Sequence, residues 1–426
     1  MSKVFISLLI LTQGIFEISA QSFTSYFTGD IADVETNSLR GICLMGGASE
    51  HDNAMIWFLE RAGEGDVLVL RASGSDGYND YMFSDLGVVV NSVETIVFNS
   101  ASAATDPYVI EQVQNAEAIW FAGGDQWDYI SYWKNNAIED AINNLIHIKG
   151  GPVGGISAGM AIMGAAYFSA ENGSVTTAQA LANPYASQVQ IGYSDFIDAP
   201  YLEDVITDTH YDDPDRRGRH FTFLARLFQD EDILAKGIAC DEYSAVCIDE
   251  SGIARVFGDA PQNDDFVYFL RPNCIEPIGP ELCAANQPLT WDRNNAALKV
   301  YRINANSEGE YTFNLNNWTE GTGGTWQDWY AVDGVMQITP DTDSPDCTLD
   351  IQKENPKNFN LFPIPANDYL TIDGVEGLVN IEIFNIMGQI QFSEVIAMPC
   401  KLNISKLDSG IYVVRLGGDS RTIVLE

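Results

Sequence analysis

The chain has 426 residues and a formal net charge of −38, with 60 Asp and Glu against 22 Lys and Arg. That length leaves room for two to three folding units, and the charge excludes nucleic-acid backbones and anionic membrane surfaces as partners, because gripping phosphate requires clustered Lys and Arg. The acids are dispersed along the chain, the pattern of a solvated surface, with cationic substrates as a second reading.

Met1 to Ala20 carries Lys3, the apolar run VFISLLIL and then ISA before Gln21, the composition of a secretory signal peptide ending at Ala20. No later stretch approaches the roughly 20 uninterrupted apolar residues of a spanning helix, so an exported protein without a transmembrane segment is expected. Export permits disulfides. The seven cysteines are odd in number, which leaves at least one unpaired, and Cys274 and Cys283, flanking the turn-rich IEPIGPEL, are the expected bridge. Cys43, inside GICLM, reads as a small buried hydrophobe.

After a short leader, Arg40 to Met45 reads as a buried strand ending in Gly46-Gly47, followed by a helix from Asp52 to Arg61. DVLVLR (Asp66 to Arg71), SVETIVF (Ser92 to Phe98), AEAIWFA (Ala116 to Ala122) and PVGGI (Pro152 to Ile156) are further strands, with helices over Asp106 to Gln114 and Asn135 to Ile146. Strands apolar on both faces, alternating with helices, predict an α/β fold whose parallel sheet is covered on both sides. Ligands of such sheets bind beyond the carboxyl ends of the strands, where the glycine turns at Gly46, Gly123 and Gly155 fall. A helix from about Arg216 to Gln229 follows, then two strands around a polar turn in KGIACDEYSAVCID, and late β-structure between Thr290 and Ile338. The expected boundaries are a leader at 1–20, an α/β domain at 21–340, a linker at 341–358, and from Phe359 to Glu426 a small β-sandwich of short alternating runs. The linker's acids lack EF-hand spacing and its terminal Glu, so no metal site is expected there, and no cofactor is called for.

The chemistry centres on GGPVGGISAGMAIMG, Gly150 to Gly164. Its G-I-S-A-G matches the G-x-S-x-G elbow, in which small neighbours let a strand turn sharply into a helix and leave the serine hydroxyl exposed. Ser157 is therefore the candidate nucleophile, and the N–H of Ala158 can point at a developing oxyanion. A serine needs a base, and there are four histidines. His51 lies in a Gly-rich turn, while His147 ends a helix and His220 lies within one, so both of these read as structural. His210, in TDTHY after an apolar strand, is on the ligand-binding side and is the candidate base. Glu242, Asp241 and Asp208 are candidates to orient it, and spacing does not choose among them.

The blocks LMGGASEHDNAMIWFLERAGEGDVLVLRASGSDGYN, IWFAGGDQ, GGISAGMAIM, DTHY with RRGR, and GIACDEYSAV, in that order over roughly Arg40 to Gly258, resemble the cyanophycinase branch of the dipeptidase E serine peptidases. The resemblance implies a flavodoxin-like sheet related to class I glutamine amidotransferases, with Ser157 as nucleophile, His210 as base and Glu242 as the charge-relay acid. It also implies that Gly124 and Ala158 supply oxyanion N–H groups, that Gln126 lines the substrate pocket, and that Asp208 is a neighbouring pocket residue. Met160 stands where that family usually has a smaller residue, and YDDPDRRGR lacks the extra arginine that cyanophycinases place near Asp213 or Pro214. Arg216 and Arg219 remain as candidates to bind a substrate carboxylate. The tail from Phe359, with LFPIPANDYLTI, VNIEIFNIMGQI and LDSGIYVVRL, resembles a type IX secretion sorting domain. That resemblance implies passage through the periplasm to the surface or medium by way of the secretion machinery.

The reading is thus a secreted serine peptidase that hydrolyses an Asp-containing amide or isopeptide bond, such as β-Asp-Arg, through an acyl-enzyme, with no metal. An α/β-hydrolase esterase using Asp195 or Asp198 as its acid is the second reading, and an inactive surface-displayed binding protein the third. The sequence leaves a homodimer open.

Overall fold

The computed structural model describes residues 21–345, 359–367, 369–385, 389–407, 409–416 and 419–425. The expected signal peptide and most of the expected linker lie outside the described residues. The chain forms two compact units, Met1–Pro345 and Asp346–Glu426.

The first part of the larger unit alternates strands and helices: β1 (Phe23–Gly29), β2 (Gly41–Met45), α1 (Asp52–Glu60), β3 (Asp66–Arg71), α2 (Gly77–Asp80), β4 (Ser92–Phe98), α3 (Pro107–Asn115), β5 (Ala118–Phe121), α4 (Gln126–Trp133), α5 (Ala137–Asn144), β6 (Val153–Ile156) and α6 (Ala158–Ala161). Three helices begin where a side chain takes up a free N–H group: Asp106, Asp125 and Asn136 cap α3, α4 and α5, and Pro107 follows the first of these caps. There follow β7 (Ala166–Phe168), α7 (Thr177–Ala182), β8 (Ile191–Tyr193), β9 (Val205–Asp208), α8 (Arg217–Glu231), β10 (Lys236–Cys240), β11 (Ala245–Asp249), β12 (Ile253–Phe257), β13 (Phe266–Pro272), β14 (Leu298–Asn304), β15 (Tyr311–Asn314), β16 (Gly324–Val332) and β17 (Val335–Thr342).

These strands build two sheets. The nine-stranded one runs β1-β4-β3-β5-β6-β2-β11-β12-β15. Its centre is parallel from β4 through β2, and β4-β3-β5-β6 has the 2-1-3-4 order of a flavodoxin-like sheet. Because side chains alternate along a strand, Leu68, Leu70, Ile119 and Phe121 pack under α3 to α5, while Val67, Val69, Ala118 and Trp120 pack under α1. The sheet is thus covered on both faces.

Several particulars differ from the sequence reading. β1, in the stretch before Arg40 for which no strand is expected, pairs antiparallel with β4 along its whole length. The two strands read from KGIACDEYSAVCID part company: β11 pairs with β2 in the first sheet, whereas β10 lies in an eight-stranded second sheet ordered β17-β16-β14-β13-β10-β9-β7-β8. β17 continues to Thr342, into the stretch read as linker. Cys274 is disulfide-bonded, yet Cys283 is a free thiol, so the expected bridge between them is not formed. Cys43 is a free, fully buried thiol, as its setting predicts.

The smaller unit contains β18 (Asn360–Phe362), β19 (Tyr369–Asn385), β20 (Ile390–Asn403), β21 (Gly410–Leu416) and β22 (Asp419–Leu425), paired antiparallel. YLTID and VNIEIFN, read as separate strands, are one long strand broken in register between Ile372 and Gly377. A bridge from Ala366 to Leu425 closes the small β-sandwich around Leu370, Ile372, Ile381, Ile383, Val414 and Ile423. Among the described residues no helix is long and apolar enough to cross a membrane.

Candidate active site

Ser157 sits at the end of β6 and immediately before α6, with φ 54° and ψ −115°, a backbone conformation that costs a non-glycine residue on the order of 1–3 kcal/mol. The two motif glycines make room for that turn. A Cβ on Gly155 would lie 2.6 Å from the carbonyl carbon of Gly159, and one on Gly159 would lie 2.1 Å from the carbonyl oxygen of Phe121. The strained turn points the hydroxyl out of the sheet. Ser157 Oγ is 2.8 Å from His210 Nε2, and His210 Nδ1 is 2.6 Å from Glu242 Oε1. The three side chains thus form one hydrogen-bonded line, with His210 and Glu242 each about a quarter exposed.

Three separate strands supply this line. Ser157 follows β6 of the first sheet, His210 follows β9 of the second, and Glu242 lies in the turn that carries the chain from β10 to β11. The end of β2 holds them in register. Met45 O accepts the N–H of Ser157, Gly46 O that of His210, and Gly47 O that of Tyr243, at 3.0, 3.0 and 3.2 Å. Gly47, at φ 145°, also lies flat against the imidazole: a Cβ there would be 2.2 Å from His210 Cε1. Sequence reasoning placed the Gly46-Gly47 turn at the ligand end of the sheet but did not assign it this role. The signal available was a double glycine directly after a buried strand.

The remaining candidates separate clearly. Asp241 does not reach His210; its Oδ2 accepts the N–H of Phe266 at 2.9 Å and its Oδ1 is buried without a partner. Burial, with Asp212 and Asp265 adding to it against the Phe266 N–H and Arg302, pushes the Asp241 carboxyl up to about 7. Asp195 bonds Tyr167 at 2.8 Å and pairs with Lys134, and Asp198 lies 3.0 Å from His147 Nε2, so neither acid of an esterase-type order meets His210. His220 is fully buried between Tyr211 and Ile206 O, and burial lowers its pKa to about 4. His51 caps α1.

Asp208 and Arg219, pocket candidates from the sequence, are instead buried and do not present their charges to solvent. Both are 3% exposed, and they bind each other through two hydrogen bonds of 2.8 and 2.5 Å, with Ser174 taking a further guanidinium N–H. Burial alone would raise the Asp208 pKa, but Arg219, helped by His220 and Arg216, holds it below the usual carboxylate value. An 11-residue separation across a strand end and a helix start offers no sequence signal for that pairing. Arg216 is different. It precedes α8, which begins at Arg217. It gives one N–H to Thr209 O at 2.9 Å, has its Nε buried without a partner, and is held below the ordinary guanidinium pKa by burial and by Arg219. Gln126, first in α4 and half-buried, is 3.4 Å from Phe168 O. Of the two glycines after β5, Gly123 faces Ser157, with 3.7 Å between a built Cβ and the serine Cβ, whereas Gly124 is exposed beside the Tyr129 hydroxyl. Ala158 is the first residue of α6. Met160 is fully buried in the core and its carbonyl accepts the Thr207 hydroxyl, so its size is felt in packing.

Residues 76–256 match the model of peptidase family S51, and residues 360–425 match the secretion system C-terminal sorting domain. The larger unit thus carries a match to peptidase family S51 over part of its length, and the sorting tail marks the chain for export by type IX secretion to the cell surface or beyond it. Among solved structures it is similar to a peptidase from an acI-B1 Actinobacterium, at 17% identity over 55% of this chain and 91% of that one, with a TM-score of 0.40. It is also similar to a peptidase E-type protein from Listeria monocytogenes EGD-e, at 13% identity over 51% and 98% of the two chains, with a TM-score of 0.33. PorZ, a surface component of the type-IX secretion system of Porphyromonas gingivalis, aligns over 45% of this chain and 23% of its own at 12% identity and a TM-score of 0.16. No curated protein matches the chain.

Proposed function

We propose that Ser157, His210 and Glu242 form the catalytic triad of an acyl-transfer hydrolase specific for Asp-containing amide or isopeptide bonds, such as β-Asp-Arg. The observation that carries this reading is the Ser157-His210-Glu242 line at 2.8 and 2.6 Å on a strained elbow. Ser157 Oγ attacks the amide carbonyl while His210 Nε2 takes its proton. Collapse of the tetrahedral intermediate breaks the C–N bond, and the same proton goes to the leaving amine. Water then attacks the Ser157 ester, losing its proton to His210, and the acid product and free serine are released. Glu242 keeps the Nδ1 proton in place and stabilises the imidazolium. The Ala158 N–H, at the start of α6, and the N–H groups of the Gly123-Gly124 turn are the donors for the oxyanion.

Arg216 supports this choice of substrate. It is a half-buried guanidinium six residues from His210 that gives one N–H to Thr209 O, and its remaining terminal N–H groups suit a carboxylate on the acyl side. Gln126 is the polar group on the opposite wall in this reading. Exposed Asp212, Asp213 and Asp215 offer negative charge to a basic leaving residue. The test is a kcat/KM comparison of β-Asp-Arg peptides with neutral peptides of equal length. The expected result is a strong preference for the former that Arg216→Ala abolishes, and equal turnover of both would refute the substrate assignment.

A further inference from the structure

β2 and β11 bring two thiols face to face inside the first sheet. The register sets Cys43 directly opposite Cys247, on strands that are flanked in turn by β6 and β12. Gly46 N–H donates to Ser244 O at 3.0 Å, whereas Met45 O turns the other way and accepts the N–H of Ser157. Bonded and non-bonded pairs alternate along an antiparallel ladder, so Cys43 and Cys247, two steps along from Met45 and Ala245, form a non-hydrogen-bonded pair. In such a pair the Cα atoms approach to about 4.5 Å and the side chains lie closest. Both sulfurs point to the face covered by α1, where Ala54 O is 3.9 Å from each. They are 3.6 Å apart.

Disulfides span Cα separations of about 4.4–6.8 Å, so the existing register already meets that requirement, and joining the sulfurs takes side-chain rotation rather than a new strand pairing. Cys240, by contrast, stands opposite Val267. Both Cys43 and Cys247 are fully buried, and burial, with Cys43 alongside, pushes the Cys247 thiol well above its ordinary pKa. The thiolate is the reactive form, so reaction belongs to the interval before β11 docks on β2. The chain meets the right conditions at that stage: its sorting tail directs it out through an oxidising compartment, and Cys274 is already disulfide-bonded.

We propose that Cys43 and Cys247 are a modification site, joined in the exported protein as a disulfide that clamps β2 to β11. One thiolate attacks a disulfide-bearing oxidant, a small molecule or a protein, and displaces one of its sulfurs as a thiol. The second thiolate attacks the resulting mixed disulfide, so that the bond between Cys43 Sγ and Cys247 Sγ forms, the two cysteines are oxidised, and the oxidant leaves as two thiols carrying the two protons. The clamp lies at the joint of the candidate site: the end of β2 accepts the N–H groups of Ser157 and His210, and β11 follows the turn that holds Glu242. Its partners are 204 residues apart in the chain, so the closed loop is long and the unfolded chain is strongly restricted. The bridge does not depend on the choice of substrate.

To test this, the full chain is exported from a host with type IX secretion, denatured at harvest in N-ethylmaleimide without reductant, and mapped by peptide mass spectrometry, with a portion reduced before labelling as the control. Expected are a cross-linked pair of peptides carrying Cys43 and Cys247, lighter by two hydrogens than the separate peptides, maleimide on Cys240 and Cys283, and maleimide on Cys43 and Cys247 only after reduction. Reductant should lower the Tm of the exported protein by roughly 5 °C or more, and by clearly less in the Cys43→Ala, Cys247→Ala variant, which keeps the bridge at Cys274. Maleimide on Cys43 and Cys247 in most unreduced chains, a bridge from either to another cysteine, or an equal fall in Tm in the double variant would overturn the proposal. The mapping uses the natural sequence, so it decides the question even if the double variant fails to fold.

Discussion

Replacing Gly47 by Ala tests whether the end of β2 sets the position of the base. A Cβ there would stand 2.2, 2.4 and 2.7 Å from Cε1, Nε2 and Nδ1 of His210, while ordinary contact begins near 3.4 Å. The imidazole must therefore retreat by about 1.2 Å, or the Gly46-Gly47 turn must open and loosen its hydrogen bonds to His210 and Tyr243. Misplacement by ~1 Å costs roughly 10²-fold in rate, or about 2.7 kcal/mol of barrier. The φ of 145° adds backbone strain on the order of 1–3 kcal/mol, so stability has to be measured alongside. The assay is the second-order rate of Ser157 phosphonylation by a fluorophosphonate, which needs no knowledge of the natural substrate, with thermal unfolding on the same samples. Gly77→Ala is the control, since a Cβ at Gly77 meets nothing within 4 Å. A folded Gly47→Ala protein labelled within threefold of wild type would refute the reasoning.

Arg216→Ala should leave the phosphonylation rate within a few-fold while lowering kcat/KM for Asp-containing substrates by about 1.5–3 kcal/mol, the range of a charge-assisted contact, read from steady-state kinetics on acidic and neutral peptides. Asp241, with its carboxyl pushed up to about 7 by burial, holds a proton in the folded state that the unfolded chain releases near pH 4. Its contribution therefore favours the fold at low pH and is lost as pH rises through 7, by up to about 4 kcal/mol. Urea unfolding of wild type and Asp241→Asn between pH 4 and 8 should show the wild type losing ground to the variant across that window, and a constant difference would contradict it. A chain ending at Pro345, the limit of the larger compact unit, should fold and retain the phosphonylation rate but fail to be exported, as judged by labelling of purified protein and by fractionation of the cells.

Much of this architecture was legible because burial leaves a simple mark on sequence. The run DVLVLR is a strand over the residues read, since a strand covered on both faces is apolar between its ends, and SVETIVF is likewise one, its signal carried by Val93, Ile96, Val97 and Phe98 in spite of the buried Glu94 and Thr95. The elbow was legible for a steric reason: only glycine fits at Gly155 and Gly159, so the spacing around Ser157 reflects collisions with backbone. What stayed hidden depends on distant pairing. β1 carries Thr, Ser and Tyr because it lies half-buried at the sheet edge, and such a run lacks the continuous apolar signal of the central strands. Asp208 and Arg219 looked like pocket residues because both neighbour His210 in sequence, yet helix α8 turns Arg219 inward onto the Asp208 carboxylate. The choice among Glu242, Asp241 and Asp208 was likewise beyond spacing. It depends on which carboxylate faces Nδ1 once β9 and β10 lie parallel, and that side chain is Glu242.

The most direct test of the triad is the site and rate of covalent modification. Folded full-length protein is treated with a fluorophosphonate, weighed intact and mapped by peptide mass spectrometry, alongside Glu242→Gln and Asp198→Asn. The account predicts one adduct per chain, on Ser157, formed roughly 10³–10⁴-fold more slowly in Glu242→Gln, because the base loses the group that fixes its tautomer, and at the wild-type rate in Asp198→Asn. Absence of an adduct on Ser157 in folded protein, or slowing by Asp198→Asn and not by Glu242→Gln, would contradict it.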